Sequence, residues 1–294
     1  AERVRLDAPA KVNLRLAILA REAGGYHALE TVFQSLSLAD TVEVRRGAPG
    51  IRLEAAGGID TGPPERNLVV RAAERFYAAL GEPPSVDFHL TKRIPSAAGL
   101  GGGSSDGAAA LRALNALHGD PLPREALLQL AIELGSDVPF FLCGSSRALA
   151  WGRGERLLPL PSLPPRPVLV AHPGVAMPTG DAFRRVAELR GGGYAPRAAL
   201  LRPDALASWE GVAAFAANDF EPVAVERIPA VAGAVAAIRG AGAGIALLAG
   251  SGASVFGVFG DEAARDAALE QVEALGLRTW RAVTRTEEAS ITVE

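Results

Sequence analysis

Alternating hydrophobic and polar positions at the start of the chain predict that it opens with β-strands. Residues 12–19 alternate and then become continuously apolar, and residues 31–44 contain two further stretches typical of strands. The period changes after Asn67, where apolar residues recur at helical spacing as far as Leu80. Gly81 follows, at the position where many helices end. We therefore expect strands first and a helix after them.

A loop rich in glycine and serine lies between the next predicted strand, residues 86–94, and a predicted alanine- and leucine-rich helix, residues 107–117. A flexible linker is the alternative, but linkers seldom join a β-branched strand to a strong helix. Backbone N–H groups in such a loop can converge on an anion, and the dipole of the following helix favours negative charge. Residues 95–106 are therefore predicted to bind phosphate.

The second half of the chain mixes strand and helix patterns. Residues 124–134 predict one more helix in the first half, and residues 159–167 then contain five prolines with no periodic pattern. We place a domain boundary there, between domains of residues 1–158 and 159–294. Beyond it the predicted strands are residues 168–172, 245–248 and 254–258, and the predicted helices are residues 181–189, 229–238 and 262–275. This mixture predicts an α+β fold.

Composition and charge exclude several classes of protein. The 294 residues are 49% hydrophobic and 21% charged, as in soluble globular proteins, and the net charge of -3 argues against a general nucleic-acid binder. Cys143 is the single cysteine, so a disulfide framework or multi-cysteine metal site within the chain is excluded. The amino terminus lacks the apolar stretch of a secretory signal, and the weakly polar run 244–260 is interrupted by glycines. We expect a cytoplasmic protein without a membrane partner.

The amino-acid sequence of the glycine loop excludes two familiar phosphate-binding motifs. A Walker A loop requires Gly-Lys, whereas the two lysines of this chain, Lys11 and Lys92, follow alanine and threonine. A dinucleotide-binding fingerprint requires glycine at its sixth position, which is Ser104 when counted from Gly99. Neither motif describes the loop.

The loop instead resembles the ATP motif of the GHMP small-molecule kinases, Pro-x-x-x-Gly-Leu-Gly followed by Gly or Ser and then Ser-Ser or Ser-Ala. Pro95 to Ser105 fit it, with Gly102 or Gly103 at the variable position. Ala97 and Ala98 stand where relatives often have glycine, and Asp106 where some have asparagine. Further segments similar to the family in order and spacing are residues 9–14, 25–31, 135–139, 171–175, 218–221 and 250–256. The resemblance covers most of the chain.

This resemblance implies a two-domain GHMP kinase fold, with an N-terminal half like domain 2 of ribosomal protein S5 and a C-terminal ferredoxin-like α/β sandwich. The implied activity transfers the γ-phosphoryl group of ATP, with Mg²⁺, to the 2-hydroxyl of a cytidine diphosphate derivative of methylerythritol, for isoprenoid precursor synthesis. We expect this small molecule as substrate and neither nucleic acid nor an obligate protein partner. The alternatives are a GHMP kinase for another alcohol, such as homoserine or mevalonate, and a non-catalytic nucleotide-binding regulator.

Two residues are the candidates for catalysis. Only Lys11 and Lys92 are lysines among 30 basic residues, and an ammonium in the apolar segment around Lys11 requires an anionic neighbour. Asp137 follows a predicted helix end and precedes Pro139. From this spacing alone, a catalytic carboxylate and a cap of the next short helix are equally expected. The resemblance implies that Asp137 is the catalytic base and that Lys11 faces it. Asn13 lies on the same strand face as Lys11 and is placed to hydrogen-bond there.

The resemblance also implies the binding residues. Tyr26 and Phe183 would enclose the cytosine ring, with His27 at its edge, and Asn67 and Lys92 would lie near the adenine. Without it, Lys92 would be interpreted as part of a solvated strand end. The residues expected around the ATP phosphates are Pro95, Ser96, Ala97, Ala98, Gly99, Leu100, Gly101, Gly102, Gly103, Ser104 and Ser105.

The ligands of the Mg²⁺ ion stay unassigned, because the sequence shows no carboxylate cluster that would hold it. Ser105 is one alternative. For Gly250 to Gly252, a place in the cleft opposite the ATP loop and a buried turn without ligand contact are both open.

Overall fold

The structure is a computed structural model that describes residues 2–21, 27–191 and 201–294. Its strands are β1 (Arg3–Arg21), β2 (His27–Arg46), β3 (Gly50–Ala56), β4 (Ser85–Thr91), β5 (Arg147–Gly152), β6 (Arg156–Pro159), β7 (Pro167–His172), β8 (Ala217–Asn218), β9 (Ile245–Leu248), β10 (Val255–Val258), β11 (Arg278–Val283) and β12 (Ile291–Val293). Its α-helices are α1 (Leu68–Leu80), α2 (Gly102–Leu117), α3 (Arg124–Leu134), α4 (Thr179–Leu189), α5 (Trp209–Phe215), α6 (Glu221–Arg227), α7 (Pro229–Gly240) and α8 (Glu262–Ala274).

Two long antiparallel strands, β1 and β2, form the centre of the first sheet. The order runs β12-β1-β2-β4-β3, with β5 and β6 continuing from β2 and β8 pairing with β1. The register between β1 and β2 shifts between Pro9 and Lys11, between Asn13 and Arg15, and between Ile18 and Ala20. Such irregularities bend a strand and re-aim its side chains. Two of them flank the segment that holds Lys11 and Asn13.

Helix α3 packs against α1 and α2, and these two helices cover one face of this sheet. Their apolar side chains pack against alternate residues of the strands, since successive residues of a strand point to opposite faces. Asn67 starts α1 by accepting a hydrogen bond from the N–H of Val69, and Gly81 ends it with a φ of 69°. The buried core between helices and sheet includes Val4, Leu6, Val42, Val44, Phe76, Phe88, Leu111 and Leu114.

The glycine loop is shorter than the sequence pattern predicts, because α2 begins at Gly102 and not at Gly107. Gly101 takes a φ of 69° at the N-cap, a conformation that glycine adopts without strain. The serines at the end of the motif therefore belong to the first turn of the helix. The preceding strand β4 also ends earlier than predicted, at Thr91.

A second, antiparallel sheet of order β11-β7-β10-β9 carries the C-terminal half. Of the helices between β7 and β9, α7 packs against β9 and β10 beside α8. The chain thus passes through β7, α7, β9, β10, α8 and β11, which is the β-α-β-β-α-β order of a ferredoxin-like sandwich. The α+β fold class and its ferredoxin-like second half are therefore confirmed.

The two halves share a core, and the second half contributes two strands to the first sheet. Strands β8 and β12 come from the second half of the chain but pair with β1 in the first sheet. One buried cluster combines Val12 and Leu14 of β1 with Val168, Val170 and Phe256 of the second sheet. The division into residues 1–158 and 159–294 remains a prediction. Within the described residues, no helix is long and apolar enough to cross a membrane.

Candidate functional site

Lys11 lies where three segments of the chain meet. The residue is 3% exposed, and its Nζ donates hydrogen bonds to Asn13 Oδ1 at 2.9 Å and to the carbonyl oxygen of Gly99 at 3.1 Å. Asp137 Oδ2 lies 3.3 Å from the same nitrogen. The anionic neighbour that the sequence requires is thus Asp137, 126 positions further along the chain.

Asp137 is held at the start of a 3₁₀ turn, Val138–Leu142, directly after α3 ends. It occupies the N-cap position, but its side chain makes no capping hydrogen bond there. The carboxylate points instead toward Lys11 and a large cavity, and it is partly exposed. Helix capping, which spacing alone equally predicted, is therefore not the role of this side chain.

Asn13 links Lys11 to the second half of the chain. Its Oδ1 accepts hydrogen bonds from Lys11 Nζ and from the N–H of Gly250, and its Nδ2 donates to Thr31 Oγ1. Asn218 Nδ2 in turn donates to the carbonyl oxygens of Leu248 and Gly250, each at 2.8 Å. Sequence reasoning gave Asn218 no role, although it noted the segment that contains it.

Two cavities adjoin Lys11 and the glycine loop, and the larger of these two, about 970 Å³, lies between the halves of the molecule. Lys11, Asn13 and Asp137 line its floor, and Gly250, Ser251 and Gly252 line the side formed by the second half. Gly250 to Gly252 therefore line the cleft, and their contact with a ligand stays a prediction.

An aromatic pair stands in the wall of this cavity. The rings of His27 and Phe183 are stacked, with centroids 4.3 Å apart and planes 13° apart. Phe183 belongs to α4, so the pair joins the two halves. Sequence reasoning selected both residues for one ligand but did not predict that they would touch. Tyr26 lies outside the described residues.

The smaller cavity, about 490 Å³, follows the glycine loop. It is lined by Asn67, Lys92, Pro95, Ser96, Ala97, Ala98, Gly99, Leu100, Gly101, Gly102, Gly103 and Ser104 among the predicted nucleotide residues. Ser105 is the exception, because its hydroxyl is buried, has no hydrogen-bond partner among the described residues and does not line the cavity. Ala97, Gly99 and Gly101 line both cavities, so the two spaces meet beside Lys11.

At two positions of the loop, neighbouring atoms lie too close for any residue larger than glycine. A Cβ atom at Gly99 would lie 2.0 Å from the carbonyl oxygen of Ala249, and one at Gly101 would lie 2.9 Å from Lys11 Cγ. Both glycines also have positive φ, at 79° and 69°. Any larger residue would push the loop away from the lysine or from the second half.

Lys92 is buried in a charge cluster under the loop, so its interpretation as a solvated strand end is wrong. Its Nζ lies 2.7 Å from Asp106 Oδ2 and also contacts Asp40 Oδ2. Asp40 accepts hydrogen bonds from the backbone N–H groups of Arg93 and Ile94 as well. Burial raises the pKa of Asp106 to about 7; Lys92 opposes this rise and Asp40 adds to it.

The described residues form no cage for a metal ion, because nowhere among them do three His, Cys, Asp or Glu side chains converge as metal ligands do. The buried hydroxyl of Ser105 does not face the smaller cavity either. We therefore assign no protein ligand to Mg²⁺.

Comparison with known proteins shows which class of protein this chain belongs to. The profile of the GHMP kinases N-terminal domain matches residues 67–145, and that of the GHMP kinases C-terminal domain matches residues 197–276. A homoserine kinase structure from Cytophaga hutchinsonii is similar at a TM-score of 0.72 but only 22% identical over 99% of this chain and 98% of its own, which shows the fold alone. The chain is a GHMP-type small-molecule kinase.

Relatives that match over most of their length identify a family within the GHMP-type kinases. A 4-diphosphocytidyl-2-C-methyl-D-erythritol kinase of Geobacter sulfurreducens is 38% identical over 95% of this chain and 97% of its own. One of Anaeromyxobacter dehalogenans is 46% identical over 89% and 83%. A crystal structure of 4-(cytidine 5'-diphospho)-2C-methyl-D-erythritol kinase matches at a TM-score of 0.79 and 38% identity, over 95% of this chain and 98% of its own. The chain belongs to the 4-diphosphocytidyl-2-C-methyl-D-erythritol kinase family.

The raised pKa of Asp106 predicts how the variant Asp106→Asn responds to pH. Between about pH 4 and 7 the native state keeps a proton on Asp106 that the unfolded chain has lost, so the wild type loses stability as the pH rises through this window. Asparagine cannot titrate. The variant should therefore melt a few degrees higher than the wild type at pH 8 and show a smaller gain at pH 5, as measured by thermal unfolding. An equal difference at both values would contradict the raised pKa.

Proposed function

We propose that this chain transfers the γ-phosphoryl group of ATP to the 2-hydroxyl of 4-diphosphocytidyl-2-C-methyl-D-erythritol. The observation that carries the proposal is the Lys11–Asp137 pair at the junction of the two cavities. A phosphoryl donor in the smaller cavity and an alcohol in the larger one would meet there. A nucleotide-binding regulator would have no need of this pair.

Asp137 is the group that orients the acceptor hydroxyl and accepts its proton as the new P–O bond forms. The ammonium of Lys11, 3.3 Å from the carboxylate, stabilises negative charge that develops on the acceptor oxygen. Asn13 and the carbonyl oxygen of Gly99 hold the lysine in place through the hydrogen bonds described above. The lysine therefore needs no rearrangement during the reaction.

The phosphates of ATP lie along the glycine loop in this proposal. The N-terminus of α2 points its free N–H groups and the positive end of its dipole at that place. Asn67 and Lys92 line the same cavity, Lys92 directly beneath Gly102 of the loop, and the family resemblance implies that the adenine lies near them. When bound, Mg²⁺ would neutralise part of the negative charge of the ATP phosphates.

The acceptor occupies the larger cavity, with its cytosine ring against the aromatic pair. Phe183 provides an apolar ring surface, and His27 adds nitrogen atoms that donate or accept hydrogen bonds. Tyr26 belongs to the same proposal through the family resemblance. The two arginines that also line this cavity, Arg153 and Arg184, favour an anionic substrate such as a diphosphate.

The proposed substrate is tested by measuring ADP release in a coupled assay with 4-diphosphocytidyl-2-C-methyl-D-erythritol, mevalonate and homoserine in parallel. The cytidylyl substrate should support turnover at least about a hundredfold faster than either other alcohol, since only it fills the aromatic end of the cavity. Faster turnover of mevalonate or homoserine would assign the chain to another acceptor within the GHMP kinases.

The role of Asp137 is tested by Asp137→Asn, which keeps the shape of the side chain but removes its basicity. Turnover should fall by roughly 10² to 10⁴ while the KM values change little, because the base acts in the transition state. Steady-state kinetics measure this, with Asp204→Asn on the exposed surface as the matched control. Near-normal turnover in Asp137→Asn would remove the residue from the mechanism.

The aromatic pair is tested by Phe183→Ala. Loss of the ring should raise the KM for the cytidylyl substrate roughly tenfold and leave the KM for ATP nearly unchanged, because the ring lines only the acceptor cavity. Leu189→Ala, an exposed position on the same helix, serves as control. If both KM values rose equally, Phe183 would be a general structural residue.

A further inference from the structure

Asp40 and Asp106, the two carboxylates of the charge cluster under the glycine loop, have no part in the chemistry proposed above. Asp40 is 0% exposed, Asp106 3% and Lys92 6%. With both carboxylates ionised, one ammonium stands between two negative charges, and the cluster carries a net negative charge in the protein interior. Such an uncompensated buried charge is unfavourable, and it is relieved when one carboxylate takes up a proton.

The hydrogen bonds decide which carboxylate takes the proton. Asp40 accepts hydrogen bonds from Lys92 and from two backbone N–H groups, so both of its carboxylate oxygens already have donors. Asp106 accepts from Lys92 through Oδ2, whereas its buried Oδ1 has no hydrogen-bond partner among the described residues. Oδ1 of Asp106 is therefore the oxygen that binds the proton. The pKa of about 7 that burial gives Asp106 agrees with this assignment.

Asp106 also stands beside the place where anions are expected. It lies one turn into α2 and lines the smaller cavity together with Gly101, Gly102 and Gly103. A nucleotide held by the loop brings its phosphate charge close to this carboxyl group. Ionised Asp106 would repel that charge, and neutral Asp106 would not.

We propose that Asp106 sets the affinity of the smaller cavity for nucleotide by taking up a proton from solvent when the nucleotide binds. The proposal rests on the proposed function, in which this cavity holds ATP. The carboxylate becomes a carboxylic acid, and no bond of the nucleotide changes. Through an effective dielectric constant of about 20, one net negative charge about 8 Å away raises the proton affinity of a carboxylate roughly thirtyfold.

Other charged groups face the same region but do not reverse this effect. They are present before and after binding, so the change in the electric field is that of the nucleotide alone. The helix α1 presents the apolar Leu68 to this part of α2. The charged groups around Asp106 and its cavity are Asp40 on β2, Lys92 after β4, Lys11 on β1 beside Gly101, and Asp60 and Arg66 before α1.

The test is isothermal titration of the full chain with ADP and excess Mg²⁺, from pH 6 to 9, in buffers of different ionisation enthalpy. The wild type should take up roughly half a proton or more between pH 7 and 8. Its Kd for ADP should be at least about tenfold higher at pH 9 than at pH 6. Absence of ADP binding at every pH would overturn the proposed function, and this inference with it.

The variant Asp106→Asn isolates the carboxyl group. It should bind ADP about tenfold more tightly than the wild type at pH 9 and show the proton uptake reduced to that of the nucleotide itself. Glu74→Gln, on the exposed face of α1, should keep the wild-type uptake and pH dependence. If ADP binds but wild type and Asp106→Asn take up the same number of protons, the inference is overturned.

A measurement on the wild type alone covers the case in which Asp106→Asn does not fold. Infrared difference spectra at pH 8 should show a carboxylate band lost and a protonated carboxylic acid band gained when ADP binds. Binding without this gain would overturn the inference as well.

Discussion

The ammonium of Lys11 is the point on which the rest of the structure depends. A buried positive charge is tolerated only where partners surround it, and this one has a carboxylate, an amide oxygen and a backbone carbonyl within hydrogen-bonding or ion-pair distance. These partners come from the turn after α3, from the lysine's own strand and from the glycine loop. Satisfying one charge therefore fixes the positions of three segments that are far apart in sequence.

The same requirement joins the two halves of the molecule. Asn13 serves both Lys11 and the N–H of Gly250, so the strand that carries the lysine is tied to the turn after β9. Gly99 and Gly250 lie so close that a Cβ atom on either would overlap backbone of the other half. Near Lys11, these contacts hold the two halves of the molecule together. The buried cluster that the two halves share leaves them little freedom to separate at this place.

The sequence predicted the elements better than their contacts. Short apolar stretches located β7, β9 and β10 of the second sheet, but its fourth strand, β11, was not predicted. Periodicity located α1 and α3. It placed the start of α2 five residues late, since serine and glycine are weak helix formers and only the N-cap geometry of Gly101 makes them helical. Lys11 and Asp137 came together only through the family resemblance. The Lys92 cluster was missed because its partners Asp40 and Asp106 lie on elements whose juxtaposition no local pattern records.

The surroundings of Lys11 and Lys92 give a reason for lysine at these two positions in a chain whose other basic residues are arginine. Both are buried, and each brings a compact charge to carboxylate oxygens in a confined space. Arg147 shows the contrast: it is 0% exposed, and its planar guanidinium donates to the backbone carbonyls of Pro161 and Leu206, at 2.7 and 3.1 Å. Desolvation lowers the pKa of Arg147 to about 10, so it still remains charged near neutral pH. The planar guanidinium of arginine suits two carbonyl oxygens that lie apart from each other. The compact ammonium of lysine suits carboxylate oxygens in a confined space, which is the arrangement at both cavities.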